Sequence, residues 1–330
     1  MNPLTNRKIL VTGGAGFVGS NLVRVLVQQY NAQVTILDDL FTGDLQNLVG
    51  VEHTFMLGSV EDKALVNDCV KDMDAVFHLA SRNIIISNSN PREDLNVNVG
   101  GSFNIFEACQ KHGVKRVVYT STSSVYGDPQ KLPVAEEDAK RFLNFYSASK
   151  FSAEVYANTF FKVFNLPVTT VRYSNIYGRA QSPLNPYCGV IGKFIDAALL
   201  GQPLKVHGDG KQTRDYTYID DAVSATIAAA IYPQAIGEEY NVGTGRETSV
   251  NELAETVIAL TGSTSKIETV SNRDIDNISR RCIDISKSES HLQYKPQYSL
   301  YKGLENTIAW FSNALHRATP AVLPGIAFLS

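Results

Sequence analysis

Cysteine is scarce in this 330-residue chain, and the four cysteines lie far apart. None of them forms a C-x-x-C pair, and no cluster of His, Asp and Glu accompanies them in the sequence. The chain therefore lacks the pattern of a disulfide framework and that of a zinc site. We expect no bound metal.

An excess of charge of one sign is also missing, as are long apolar runs. The formal net charge is -3, and charged residues make up 19% of the chain, so we expect no nucleic-acid partner. The longest apolar stretches, such as residues 222–232, are too short and too interrupted to span a bilayer. The first residues run into a strand-like segment without a signal-peptide pattern. These absences predict a soluble cytoplasmic protein with no membrane partner.

Apolar residues are plentiful, at 44% of the chain, and the length favours two packed regions over one. In the first half, short apolar runs alternate with helical patterns. The runs predict strands at 8–12, 33–37, 53–57, 75–79, 116–119 and 168–172, and the other patterns predict helices at 20–30, 63–71, 101–112 and 146–164. Nearly continuous apolar strands that alternate with helices predict an α/β fold with a doubly wound parallel sheet of the Rossmann type.

The pattern changes after residue 172, where prolines and glycines become frequent and the strand-like runs become short. We therefore place a first domain at residues 1–172 and a smaller, loop-rich α/β region at residues 173–330. The segment 215–245 contains an apolar helical pattern, and we expect this segment to pack back on the first sheet.

A glycine-rich turn follows the first predicted strand directly. Gly13, Gly16 and Gly19 allow a tight turn, a close approach of the backbone to a pyrophosphate, and close packing of the next helix. That helix begins near Phe17, so its free N–H groups face the phosphates. The turn predicts a dinucleotide site.

The residues at the end of the second strand favour one dinucleotide over the other. Asp38 stands about 20 residues after the turn, as a contact to the adenosine ribose hydroxyls requires. Asp39 adds negative charge, and no Arg or Lys lies nearby in sequence to hold a 2′-phosphate. The sequence therefore predicts NAD rather than NADP as the cofactor.

A phenol and an ammonium group stand four residues apart at Tyr146 and Lys150, on one face of a predicted helix. A nearby cation favours phenolate and moves the pKa of a tyrosine toward the working range of a base. The spacing alone is not specific, because Tyr298 and Lys302 repeat it. That second pair lies outside the dinucleotide-binding half, and we interpret it as a chance occurrence.

Hydroxyl side chains fill the segment after the fifth strand, from Tyr119 through Thr122 to Tyr126. The carboxyl end of a parallel strand is where ligands bind in such sheets, although Ser and Thr also satisfy turn backbone. We expect at least one of these hydroxyls to face a ligand.

Many motifs occur in a characteristic order: TGGAGFVGS, VFHLAS, TSTSSVYGDP, YSASK, VRYSNIYG, GDGKQTRDYTYIDD and YNVGTG. Over about residues 7 to 310 the chain resembles the extended short-chain dehydrogenase/reductase superfamily, and within it the nucleotide-sugar epimerases and dehydratases. The resemblance implies an NAD-dependent enzyme that acts on a nucleotide-linked sugar, with UDP as the expected nucleotide. It also implies a homodimer formed through the helices near 101–112 and 146–164.

Carried over residue by residue, the resemblance assigns three groups of side chains. The implied catalytic residues are Thr122, Tyr146 and Lys150. The implied cofactor-binding residues are Gly13, Gly16, Phe17, Val18, Asp38, Asp39, Ser59, Val60, Leu79, Ala80, Ser81, Asn98, Tyr146, Lys150 and Tyr173. The implied substrate-binding residues are Thr122, Ser123, Asn175, Val190, Lys205, His207, Arg214, Arg273 and Arg281.

Two serines after Thr122 narrow the predicted reaction. The dehydratases and the uronate decarboxylases of the family carry carboxylates at the positions of Ser123 and Ser124, and hydroxyls cannot do that acid/base work at neutral pH. Epimerisation at C4 through a transient 4-keto sugar is therefore favoured, with decarboxylation or 4,6-dehydration as the alternative. A sensor that binds NAD without chemistry is disfavoured by the presence of both Tyr146 and Lys150.

The sugar itself stays open. Arg281 lies where some relatives place a substrate-facing Arg, so it could hold a C6 carboxylate. It could equally be, with Arg280, a phosphate clamp or a surface charge. The loop after the fourth strand also departs from the usual sequence of the family at residues 81–86.

Overall fold

The structure is a computed structural model that describes residues 3–181, 188–272 and 278–318, with side chains as far as residue 313. Its strands are β1 (Lys8–Thr12), β2 (Gln33–Asp38), β3 (Thr54–Leu57), β4 (Ala75–His78), β5 (Arg116–Thr122), β6 (Val168–Tyr173), β7 (Asn175–Tyr177), β8 (Leu204–His207), β9 (Thr213–Arg214), β10 (Tyr216–Tyr218), β11 (Glu239–Val242), β12 (Thr248–Ser249) and β13 (Ile267–Val270). Its α-helices are α1 (Phe17–Tyr30), α2 (Lys63–Val70), α3 (Ile84–Ser89), α4 (Pro91–Asp94), α5 (Ser102–His112), α6 (Phe145–Phe164), α7 (Val190–Leu199), α8 (Ile219–Ile231), α9 (Val250–Thr261), α10 (Ser286–Leu292) and α11 (Leu300–Ala318).

Seven parallel strands form the central sheet, in the order β11-β6-β5-β4-β1-β2-β3. The apolar runs of β1 and β4 are buried in the middle of it, as expected for strands covered by helices on both faces. The order reverses between β1 and β4, which is the switch point where ligands bind in doubly wound sheets. The predicted fold class is confirmed.

Local signals explain where the helices around the site begin and end. The side chain of Asn144 caps α6 by accepting a hydrogen bond from Ser147 N at 2.8 Å. Gly113 ends α5 in the left-handed conformation, at φ 65°. The helix of the predicted catalytic pair thus has a fixed first turn.

Residues after 172 also complete the sheet. The helix α8 packs against β5 and β6, and β11 pairs with β6 along the edge. Residues 219–242 thus contribute a helix and an edge strand to the packing of this sheet. The remaining short strands pair as β7 with β10, β8 with β13, and β9 with β12.

One segment contains structure that the sequence patterns did not predict. Between β4 and α5 the chain forms α3, α4 and a π-helical turn at Leu95–Gly101. Asn83 and Asn90 cap the two short helices with their side-chain oxygens. The elements are too short for a hydrophobic period to reveal them. Within the described ranges, no helix is long and apolar enough to cross a membrane.

Candidate active site

The predicted cofactor residues converge on one edge of the sheet. They follow the carboxyl ends of β1, β2, β3, β4 and β6, and Thr122 ends β5. Because parallel strands end at the same edge, residues spread over 160 positions of sequence come together there. Asn98 joins them from the π-helical turn.

The glycine turn is built for close packing. Gly13 has φ +69°, and a Cβ there would lie 2.8 Å from the backbone nitrogen of Ala80. A Cβ on Gly19 would clash with the carbonyl oxygen of Gly13. The first turn of α1 therefore sits directly on the end of β1, and its N-cap, Gly16, has no side chain to cover the free N–H groups. These residues fit a bound pyrophosphate.

Asp38 is buried at the end of β2, with 6% of its surface exposed. Its carboxylate accepts hydrogen bonds from Ala15 N at 2.9 Å and from Leu40 N at 2.8 Å. Burial raises its pKa, and the two backbone donors act in the opposite direction. The carboxylate is thus fixed beside the glycine turn, where the sequence placed the ribose contact.

The charge around Asp39 differs from the expectation. No basic residue lies near it in sequence, yet the Nη2 of Arg82 lies 2.7 Å from its Oδ2. The structure brings Arg82 there because the loops after β2 and β4 flank the end of β1. The same guanidinium also binds Glu93, at 2.6 Å from Nε to Oε1.

Tyr146 and Thr122 meet at the switch-point edge, where the Thr122 side chain acts on the phenol of Tyr146. Burial raises the pKa of Tyr146 to about 12, while the Thr122 hydroxyl acts to lower it. The sequence argument expected a lowered pKa, but in the protein alone the loss of hydration outweighs the stabilisation of the phenolate.

Lys150 lies one turn of α6 further on and is 2% exposed. Burial lowers its pKa to about 7, and the carboxylates of Glu154 and Asp94 oppose that shift. Its Nζ lies 4.5 Å from the centre of the Tyr119 ring, a cation–π contact. Near neutral pH the proton on Lys150 is therefore easily lost or regained.

A buried carboxylate close to Tyr146 and Lys150 was not predicted from the sequence. Oδ1 of Asp94 accepts hydrogen bonds from Ser87 Oγ at 2.5 Å, Asn98 Nδ2 at 2.7 Å and Ser149 Oγ at 2.9 Å. Asp94 is 2% exposed. The network ties α3, α4 and the π-helical turn to α6 between Tyr146 and Lys150. An Asp at the end of a four-residue helix gave no sequence signal.

A second buried network holds α6 on the sheet. Arg172 of β6 binds Glu154 with Nη2 2.7 Å from Oε2, and their side chains are 3% and 6% exposed. Glu154 also accepts from Ser121, and Arg172 donates to the hydroxyl of Tyr126 at 2.9 Å. These contacts fix the register of α6 against β5 and β6.

The second Tyr-x-x-x-Lys has a different setting. The ring of Tyr298 packs against that of Tyr218 at an angle of 43°, with ring centres 4.5 Å apart. Lys302 is on the surface and pairs with Glu305 at 3.1 Å. Neither residue belongs to the edge where the cofactor residues converge.

A cavity of about 720 Å³ lies in the second region. It is lined by five of the predicted substrate residues, namely Asn175, Val190, Lys205, His207 and Arg214. The other described lining residues include the cations Lys211 and Arg280 and the carboxylate of Asp209. The excess of cations suits a diphosphate.

The two neighbouring arginines have different positions. Arg280 lines the cavity and pairs with Glu247, whereas Arg281 is 3% exposed and is absent from the described lining. Ser123 is buried next to Thr122. Arg273 lies outside the described residues.

Comparisons with known proteins show the family of the chain. The model of the "NAD dependent epimerase/dehydratase family" matches residues 9–243. A putative UDP-glucose 4-epimerase of Methanocaldococcus jannaschii is 37% identical, over 92% of this chain and 98% of its own. A UDP-N-acetyl-alpha-D-glucosaminuronate decarboxylase of Bacillus cytotoxicus is 39% identical, with 92% and 98% covered.

Among solved structures, the UDP-glucose 4-epimerase of Thermotoga maritima superposes with a TM-score of 0.89 at 33% identity. The match covers 93% of this chain and 99% of that chain. The chain belongs to the NAD-dependent epimerase/dehydratase family, and NAD is its cofactor.

Proposed function

We propose that the protein is an NAD-dependent nucleotide-sugar 4-epimerase whose substrate is a UDP-linked hexose, N-acetylhexosamine or uronate. The observation that carries the proposal is the convergence of Thr122, Tyr146 and Lys150 on the switch-point edge beside the glycine turn. In this assignment residues 1–172 form the NAD-binding domain, and the segment 215–245 packs back on it. Residues 173–330 bind the nucleotide sugar.

The proposed chemistry assigns one task to each side chain. Tyr146 takes the proton of the C4 hydroxyl during oxidation and returns it during reduction. Thr122 donates a hydrogen bond to the reacting oxygen, and Lys150 stabilises the phenolate and holds the nicotinamide ribose. Bound NAD supplies the reversible acceptance of hydride from C4. Rotation of the 4-keto sugar between the two transfers inverts the carbon.

The cavity of the second region supports a diphosphate-linked substrate. Arg214 donates from Nη1 to two backbone carbonyls, those of Thr213 and Ile278, so its side chain is held in one place. Lys205 and Arg280 provide further positive charge along the wall. A fixed guanidinium with lysines nearby is well suited to two phosphate groups.

Decarboxylation of a uronate is the second candidate, because the relative from Bacillus cytotoxicus is named for that reaction. Decarboxylation would need an acid at these positions, but Ser123 and Ser124 carry only hydroxyl groups. These positions favour epimerisation.

The proposed assembly is a homodimer in the cytoplasm. Apolar side chains on α5 and α6 face outward: Phe103 is 37% exposed, Val155 51% and Tyr156 42%. The rings of Phe103 and Tyr156 pack edge to face with centres 5.4 Å apart. An apolar patch of this kind is typical of a protein–protein interface.

The purified protein incubated with UDP-glucose, UDP-N-acetylglucosamine and UDP-glucuronate tests the proposal. Proton NMR of the products distinguishes inversion at C4 from loss of CO₂ and from a 4-keto-6-deoxy sugar. We expect inversion with at least one of the three. A dominant pentose or keto-deoxy product would overturn the assignment.

A further inference from the structure

Arg82 lies at the edge of the sheet where the predicted cofactor residues converge, called here the cofactor edge. The motifs do not explain its position there. It follows β4, in the loop where the sequence departs from the usual pattern. Its guanidinium contacts two carboxylates, with Nη2 2.7 Å from Asp39 Oδ2 and Nε 2.6 Å from Glu93 Oε1. Its Cζ also lies 4.1 Å from the centre of the Phe41 ring.

The sheet topology shows which loops these contacts join. Asp39 and Phe41 follow β2, Arg82 follows β4, and β1 lies between those strands in the sheet. The contacts therefore connect the two loops on either side of the glycine turn. Glu93 extends the connection to α4, so three separate elements share one guanidinium.

The backbone of the same residue is fixed as well. Arg82 N donates to Asn98 Oδ1 at 2.7 Å, and Asn98 Nδ2 donates to Arg82 O at 3.1 Å. The side chain is 10% exposed, and those of Asp39 and Glu93 are 26% and 29% exposed. Partly buried ion pairs with two N–H donors are stronger than surface pairs, because water screens them less.

We infer that Arg82 is a positioning residue that braces the loops after β2 and β4 against each other and thereby sets how tightly the protein retains NAD. Retention matters for the proposed reaction, since the reduced cofactor must stay bound until it returns the hydride. The inference rests on the proposed cofactor edge, in which Asp38, Asp39 and residues 79–81 form the walls. A brace between the walls lowers the cost of ordering them when NAD binds.

The test is the affinity of the full-length protein for NAD, measured by calorimetry after bound nucleotide has been removed. We expect Arg82→Gln to raise the Kd at least tenfold, which corresponds to about 1.4 kcal/mol. NADH release, followed by its fluorescence, should accelerate by a similar factor. Arg82→Lys keeps the charge but loses the fork, so its Kd should fall between those of the wild type and Arg82→Gln.

Arg7→Gln is the matched control. Arg7 pairs with Asp74 at 3.5 Å at the opposite end of the sheet, with 52% of its side chain exposed. Its loss should leave the Kd for NAD unchanged. If Arg82→Gln does not fold, Glu93→Gln removes one arm of the brace and should raise the Kd several-fold.

The outcomes separate the brace from the proposed function. One outcome would overturn only the role of Arg82 as a brace. In that outcome the wild type binds NAD and inverts C4, and Arg82→Gln and Glu93→Gln both fold with a Kd for NAD within twofold of the wild-type value. A wild type that binds no NAD overturns the cofactor edge and the brace together.

Discussion

Ser149 Oγ donates a hydrogen bond to Oδ1 of Asp94, and the two oxygens lie 2.9 Å apart. Ser149 immediately precedes Lys150 in α6, so the contact places a buried negative charge next to the catalytic pair. The carboxylate acts on both members, since it raises the pKa of Tyr146 and that of Lys150. Burial remains the largest influence on each.

Replacing Asp94 with Asn should move the whole pH profile of kcat/KM to lower pH. Removal of a negative charge favours the phenolate of Tyr146 and the neutral amine of Lys150, so the acid limb and the alkaline limb both shift downward. We expect a shift of at least about half a pH unit. Ser87→Ala is the control, because it removes one donor to the same Oδ1 and leaves the charge in place. Coincident profiles for wild type and Asp94→Asn would contradict this role.

Tyr146→Phe should abolish epimerisation and leave NAD binding intact. The substitution removes the hydroxyl that exchanges the proton, which for a general acid/base costs at least about 100-fold in kcat. Its ring still fills the same half-buried space. Tyr298→Phe removes the hydroxyl of the other Tyr-x-x-x-Lys and should leave kcat unchanged. Wild-type turnover in Tyr146→Phe would rule out the assignment.

Gly13→Ala should weaken NAD binding at least tenfold and lower the stability of the fold. A Cβ at this position meets the backbone of Ala80 at 2.8 Å, and neither backbone can move without shifting β4 or α1. Gly50→Ala is the matched control, because Gly50 also has a positive φ, +76°, but has open space around its Cβ position. Both variants carry the cost of a left-handed conformation, about 1–2 kcal/mol. Equal losses of stability and equal Kd values would show that Gly13 is not needed for close packing.

Arg172→Met should destabilise the protein by about 3–5 kcal/mol, because it leaves Glu154 buried without its ion-pair partner. The measurement is the free energy of unfolding in urea. Lys302→Met breaks the exposed pair with Glu305 and should cost about 1 kcal/mol or less. A similar small loss in both variants would mean that the buried pair contributes little.

The elements around the cofactor edge could be predicted from the sequence to within about three residues at each end. The predicted strand 8–12 has the bounds of β1, and the predicted helix 146–164 begins one residue late. Their apolar patterns extend over the whole element, and the glycine and asparagine residues that mark their ends are close neighbours. The nearby sequence is therefore enough to predict where these elements lie. The short elements at residues 84–101 were missed, because a single helical turn has no period to detect.

Local sequence by itself determined the doubly wound fold, the glycine turn, the end of β2 at Asp38 and the Tyr146–Lys150 pair. Only the tertiary structure decided the charges around them: Arg82 against Asp39, 43 residues apart, and Asp94 against Ser149, 55 residues apart. The reason is physical. Hydrophobic period and turn chemistry act between near neighbours in the chain, whereas burial and ion pairing depend on which strand ends the sheet places side by side.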